Sequence, residues 1–235
     1  MNVTIKKLYA LAIIAHPDDE SFLLAGTSLK FAEEGKSVGV ICLTRGEKGE
    51  DRLKRNLSED QMAGIRVKEL LKACNILRCK CTEYFEHPDG SLDKMDFQKL
   101  VDEIVQKIDK YSPEVILTFG PEGVSGHRDH ITVYKATLEA TKQAAHKVKE
   151  AWLMSMPASA IDAFNEHQRE RRVHLKHFEK ELLQGVPDEQ LHIIDITKYS
   201  AQKHEALKAH ESQYLPSFVI DIFLKNEYFE VVQLP

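Results

Sequence analysis

Residues 8–15, LYALAIIA, form a short uninterrupted apolar run that stops abruptly on His16, Pro17, Asp18, Asp19 and Glu20. A run of this length with no polar alternation reads as a strand covered on both faces, the kind found in parallel sheets. An imidazole and three carboxylates at its end ask for more than a chain reversal. The arrangement recurs: residues 113–120, PEVILTFG, read as another buried strand, and the loop after them carries His127, Arg128, Asp129 and His130. Loops that lead from parallel strands into helices share one edge of the sheet, where open α/β sheets bind their ligands.

The rest of the chain keeps this rhythm. Phe22, Ala25, Leu29 and Ala32 follow helical spacing up to Gly35, and residues 37–44 read as a second strand ahead of the loop TRGEKGED. Val67, Leu70, Leu71 and Cys74 mark one helix, and Phe97, Leu100, Val101, Ile104 and Ile108 another, with a weak strand at 82–85 between them. Ile131, Tyr134, Leu138 and Ala145 mark the next helix, and residues 151–157 and 192–197 are further strands. The alternation predicts an α/β chain with a mostly parallel sheet and helices on both faces. Residues 162–190 are charged and weakly periodic, which predicts a flap or an exposed helix. Residues 218–233 read as a terminal hairpin turning at Lys225, Asn226 and Glu227. No repeat or linker interrupts the chain, so residues 1–235 are expected to form a single domain.

Composition narrows the partners. A chain of 235 residues that is 43% hydrophobic can bury a substantial core. Its 32 basic and 37 acidic residues, net charge −5, give no electrostatic ground for nucleic acid or an anionic membrane as partner. No apolar run approaches the ~20 residues of a spanning helix. Lys6 and Lys7 precede an apolar stretch, but no small-residue cleavage site follows, so a cytoplasmic protein is expected. Cys42, Cys74, Cys79 and Cys81 make no pair of CxxC motifs, which argues against a structural zinc site and for reduced thiols.

If the two polar loops converge, one histidine and one aspartate from the first and a histidine from the second make a set suited to catalytic zinc. A carboxylate left over would then serve as general base toward a water whose pKa the metal has lowered. Blander readings stay open for each loop alone: acids at 18–20 suit the first turn of a helix, and His127 and His130 suit a surface. His174 and His177 sit among Arg, Lys and Glu and read as a solvated face, while His87-Pro88-Asp89-Gly90 reads as a turn. Neither a phosphate-binding glycine motif nor a Gly-x-Ser-x-Gly elbow is present.

Four segments taken together, AHPDDE at 15–20, TRGEKGE at 44–50, SGHRDH at 125–130 and EALKAHESQ at 205–213, resemble the PIG-L/LmbE-like family of zinc-dependent N-deacetylases, over about residues 8–214. The resemblance implies a Rossmann-like three-layer α/β/α fold and hydrolysis of an N-acetyl group on an N-acetylglucosamine-containing small molecule. It implies one Zn2+ per chain held by His16, Asp19 and His130, donors that also accept other divalent metals. It makes Asp18 the general base and His127 the general acid or oxyanion partner. It gives Asp129 the orienting of a neighbouring imidazole, and Arg66 and Asp89 contacts to sugar hydroxyls. Oligomers are common among such relatives, so a homo-oligomer is expected. Arg128 replaces a proline common in the family, and Gly123-Val124-Ser125 stands where some relatives carry a tyrosine. Two alternatives accompany this reading: a metal-dependent amidase of a thiol-sugar conjugate, and a zinc- or sugar-binding protein without turnover.

Overall fold

In the computed structural model, which describes residues 7–162, 183–213 and 217–235 (the side chains of 217–219 excepted), the strands β1 (Ala10–Ile14), β2 (Val38–Thr44) and β4 (Val115–Phe119) are buried at every position. They join β3 (Lys80–His87), β5 (Glu150–Met154), β6 (His192–Asp195) and β7 (Asn226–Gln233) in one seven-stranded sheet of order β3-β2-β1-β4-β5-β7-β6. The five strands from β3 to β5 run parallel, and β7 runs antiparallel to both β5 and β6. The chain is an α/β protein with a Rossmann-like, mostly parallel sheet between helices. On one side α4 (Phe97–Tyr111) packs against α6 (Arg128–Gln143), which follows the single turn α5 (Gly123–Gly126). On the other, α1 (Asp19–Leu23), α2 (Ala25–Glu33) and α3 (Glu59–Ile76) gather around α7 (Ser200–Ala209). Strand order reverses between β1 and β4, the two strands whose ends carry the His/Asp loops. The loops therefore open into the crevice where such sheets bind ligands.

Local chemistry sets the helix starts. Ser58 and Gln61 form a reciprocal capping box on α3, and Asp96 accepts the Lys99 amide at the head of α4. The helix expected over residues 21–34 comes in two pieces, broken at Leu24. Its second piece is capped from afar: Glu227 of β7 accepts the amides of Gly26 (2.9 Å) and Thr27 (2.8 Å) and the Thr27 hydroxyl (2.7 Å). Lys203 completes the carboxylate's shell at 2.8 Å, and both side chains of this ion pair are almost wholly buried. Removing one partner of a buried pair costs about 3–5 kcal/mol, and a domain of this size loses about 2–4 °C per kcal/mol. Glu227→Ala is therefore expected to lower the melting temperature by about 6–20 °C in a thermal melt. A change below about 2 °C would show that the buried pair adds little.

The expected terminal hairpin is corrected. Residues 217–223 form α8 (Ser217–Phe223), and β7 pairs with β5 and β6 rather than with its own neighbour. A short apolar run fits either structure, so its partners decide. Glu227, read as part of a turn, lies in the strand opposite Ile194, held there by Lys203 and the head of α2. His174, His177 and most of the charged stretch 162–190 lie outside the described residues. The four cysteines are free thiols, Cys81 half-buried and the other three buried. Among the described residues, no helix is long and apolar enough to cross a membrane.

Candidate metal centre and catalytic site

The site is built from three short stretches around the ends of β1 and β4. Asp19, the first residue of α1, turns its carboxylate back onto the end of β1, where Oδ2 accepts the amides of His16 (2.8 Å) and Ala15 (3.2 Å). That folds the first loop into a tight hook. His130 sits in the first turn of α6, its ring stacked on Phe119 (centroids 4.0 Å apart) and its Nδ1 donating to the Gly123 carbonyl at 2.9 Å. Its proton is thereby placed on Nδ1, and Nε2 points to the crevice. His16 is turned the opposite way: Nε2 donates to Asp129 Oδ2 and Asp89 Oδ1, each at 3.1 Å, so Nδ1 faces the crevice.

Three side chains meet there. His16 Nδ1 and His130 Nε2 are 3.1 Å apart; Asp19 Oδ1 lies 3.3 Å from His130 Nε2, and Asp19 Oδ2 lies 3.8 Å from His16 Nδ1. Four ligands arranged tetrahedrally at zinc–nitrogen bonds of about 2.0–2.1 Å are about 3.3 Å apart, so this spacing fits a divalent metal. Burial opposes a charge on His16, but its hydrogen bonds to Asp129 and Asp89 and the nearby Asp19 charge win and hold its pKa up to about 10. Without a metal, the ring therefore carries both protons at neutral pH, and its Nδ1 proton bridges to His130. A metal ion held by these side chains would take the place of that proton. His130 itself is pushed down to about 3, by burial first and then by the His16 charge, and stays a neutral acceptor.

A second grouping is also near enough to consider, with His127 in place of Asp19, its ring nitrogen within 4.8 Å of those of His16 and His130. Asp19 places an oxygen 3.3 Å from His130 Nε2 and brings the negative charge that offsets a dication. A third, around His16 Nε2 with Asp89 and Asp129, consists of groups already committed. Asp129 accepts the amides of Gly90 (2.7 Å) and Leu92 (3.0 Å), and Asp89 accepts that of Lys48 (3.0 Å). These carboxylates hold the imidazole in place, and partners of this kind raise the basicity of a ring that ligates a metal. Asp129→Asn is accordingly expected to weaken metal affinity about 10–100-fold in a chelator competition, and an unchanged affinity would remove Asp129 from that role.

His127 starts α6, and its Nδ1 accepts the Asp129 amide at 3.2 Å. The ring proton is therefore on Nε2, available to an atom in the crevice. Burial first, then the neighbouring imidazoles of His130 and His16, push its pKa down to about 3, so it is a neutral donor at physiological pH in the metal-free state. Asp18 is the carboxylate that makes no contact with the three donors. Its backbone sits at φ 119°, ψ −25°, a conformation that costs a residue other than glycine about 1–3 kcal/mol. Burial pushes its carboxyl up to about 6, against the pull of Arg66.

Arg66, on α3, is buried beneath the loop. It donates to the Pro17 carbonyl, to Gly46 O (2.9 Å) and to Asp18 Oδ2 (3.0 Å). The TRGEKGE segment gets its glycine from this contact: a Cβ on Gly46, which has φ +67°, would lie 2.3 Å from the guanidinium. Arg66 and Asp89, expected on sugar hydroxyls, are thus 4% and 6% exposed and turned toward Asp18 and His16. Two residues in the site were missed. Glu20, wholly buried, accepts the Asp18 amide, and His210, from the segment AHESQ, is bonded to Glu20 at 2.7 Å. The only signal for His210 was its place in a recognised segment that carried no assigned role.

Comparison with known proteins adds the following. Residues 11–141 match the family described as PIG-L, GlcNAc-PI de-N-acetylase. A 1D-myo-inositol 2-acetamido-2-deoxy-alpha-D-glucopyranoside deacetylase of Saccharomonospora viridis is 27% identical over 227 residues, covering 86% of this chain and 84% of the relative. A probable N-acetyl-alpha-D-glucosaminyl L-malate deacetylase 2 of Bacillus anthracis is 30% identical over 223 residues, covering 94% and 86%. Among solved structures, the N,N'-diacetylchitobiose deacetylase from Pyrococcus horikoshii superposes with a TM-score of 0.71 at 18% identity, over 95% of this chain and 83% of that one, a likeness of fold.

Proposed function

The chain belongs to the PIG-L family, and from that premise we propose that it is a metal-dependent N-deacetylase that hydrolyses the N-acetyl group of an N-acetylglucosamine conjugate. The observation that carries the proposal is the meeting of His16, Asp19 and His130 within 3.1–3.8 Å beside a carboxylate, Asp18, that is not one of the donors. A pure metal-holding site has no use for that fourth group in a strained conformation. A hydrolase needs a base there.

In this reading His16, Asp19 and His130 would hold one zinc ion, which would supply Lewis acidity and lower the pKa of water to about 7. Asp18 takes the proton of the attacking water, and its raised pKa suits a base that works near neutrality. His127 presents its Nε2 proton to the carbonyl oxygen as negative charge develops, a contribution of about 3–4 kcal/mol for a well-placed donor. Asp18 passes the proton it took from the water to the departing amine and returns to the carboxylate, and acetate and a free amino sugar leave. Arg66 fixes the Asp18 carboxylate, while Asp129 and Asp89 fix His16, so these three act on the substrate through other side chains.

The test is acetate release from a panel of N-acetylglucosamine conjugates that includes the malate and inositol glycosides acted on by the two relatives. Metal-stripped protein is compared with the same protein after zinc is restored. Release that returns with zinc supports the reading. An amine product without acetate moves it to an amidase of a larger conjugate, and full zinc binding without any product moves it to a binding protein.

A further inference from the structure

Asp18 and Asp19 are neighbours in sequence, yet they are anchored by different parts of the molecule. The Asp19 carboxylate rests on the amides at the end of β1, within its own loop. The left-handed backbone of Asp18 is held from outside: its amide donates to Glu20 Oε2 at 3.0 Å. The other oxygen of that carboxylate, Oε1, accepts from the Ser21 hydroxyl at 2.6 Å and from His210 Nε2 at 2.7 Å. Neither the Glu20 nor the His210 side chain has any exposed surface. No solvent can replace the imidazole, so a buried carboxylate depends on it for both charge and hydrogen bonding.

His210 reaches this position from the end of α7, 190 residues further along the chain. It is itself held in register. Ser212 donates through its amide (2.8 Å) and its hydroxyl (2.6 Å) to Glu69 of α3, the helix that also carries Arg66. The Gln213 amide donates to the His210 carbonyl at 3.1 Å. The AHESQ segment thus bolts α7 to α3 and aims one imidazole at Glu20.

We propose that His210, acting through Glu20, is a positioning residue for the base: it holds the Asp18 backbone in its left-handed conformation and so keeps the carboxylate on the reacting water, without taking part in metal binding. The proposal rests on the assignment of Asp18 as base. It makes a specific separation, because Asp19, His16 and His130 have anchors of their own, and metal affinity should be indifferent to His210.

His210→Leu removes the donor at similar volume, and His210→Gln restores one. Each is compared with the natural protein by three readouts: zinc affinity, steady-state kinetics, and hydrogen exchange at the Asp18 amide in the metal-free state. For His210→Leu, the Asp18 amide is expected to exchange at least about tenfold faster, the loss of one buried hydrogen bond. kcat should fall about 100-fold, as for a catalytic group displaced by about 1 Å, with KM and zinc affinity within twofold. His210→Gln should recover most of both losses. If His210→Leu does not fold, Glu20→Gln, which keeps the acceptor for Asp18 but weakens the bond to His210, should show the same pattern at smaller size. Unchanged exchange at Asp18, or a loss of zinc affinity in step with kcat, overturns the proposal. The exchange measurement needs no turnover, so a natural protein that releases no acetate would defeat the deacetylase reading and leave the clamp to be decided by exchange alone.

Discussion

Asp18→Asn is expected to cut turnover by about 1,000- to 10,000-fold while zinc stays bound at full stoichiometry, the upper part of the range for loss of a general base. Asparagine keeps the shape of the side chain and an oxygen for the Arg66 guanidinium, which also retains its bonds to the Pro17 and Gly46 carbonyls. The loop should therefore stay folded. What is lost is the ability to take a proton. The natural enzyme should also lose activity as pH falls through the Asp18 pKa, which burial raises to about 6 in the metal-free site and a bound dication would pull below that, because only the carboxylate can act as base. The residual activity of the variant should lack that acid limb. Acetate release together with metal analysis of the same samples checks both points, and turnover within tenfold of the natural protein would remove Asp18 from the base role.

Asp19→Asn is expected to act on the other half of the site. The amide can still approach His130 and His16, but it brings no charge to offset a dication. Metal affinity should drop by more than the about 10–100-fold typical of residues that merely orient a ligand, and turnover should fall to background at stoichiometric zinc. The asparagine oxygen can still accept the His16 and Ala15 amides, so the hook at the end of β1 keeps its shape. Competition with a chelator of known affinity reads the effect directly. The informative partner is His127→Ala. If that variant loses the metal while Asp19→Asn keeps it, the ligand set is His16, His127 and His130, the other grouping whose ring nitrogens lie within 4.8 Å of one another. The proton-donor role of His127 would then pass to another group.

The two predictions depend on different kinds of information. The apolar stretches within 8–15 and 113–120 become the buried strands Ala10–Ile14 and Val115–Phe119, because a short apolar run bounded by turn residues suits a strand covered on both faces. The polar residues that follow each stretch then fall beyond strand ends, which is why His16, Asp18, Asp19, His127, Asp129 and His130 are legible in the sequence. The helix over Phe97–Tyr111 was equally plain from its apolar stripe. The terminal segment was not: VID and IF within residues 218–223 suit a strand as well as a helix, and the choice fell to β5 and β6, which offered β7 better partners.

The alternating α/β layout, the two reactive loops and the chemical kinds of group they carry are legible along the chain, because they follow from periodicity and residue type over short distances. Packing of the layers sets β1 and β4 side by side at the reversal of strand order, which brings His16 and His130 to 3.1 Å. The same packing turns Arg66 and Asp89 inward to Asp18 and His16, sets Glu227 as the cap of a helix some 200 residues away, and places His210 behind Glu20. Each of these is a contact between groups far apart in the chain, chosen by the need to pair buried charges once the layers have packed, and local pattern carries no record of which partner will be within reach.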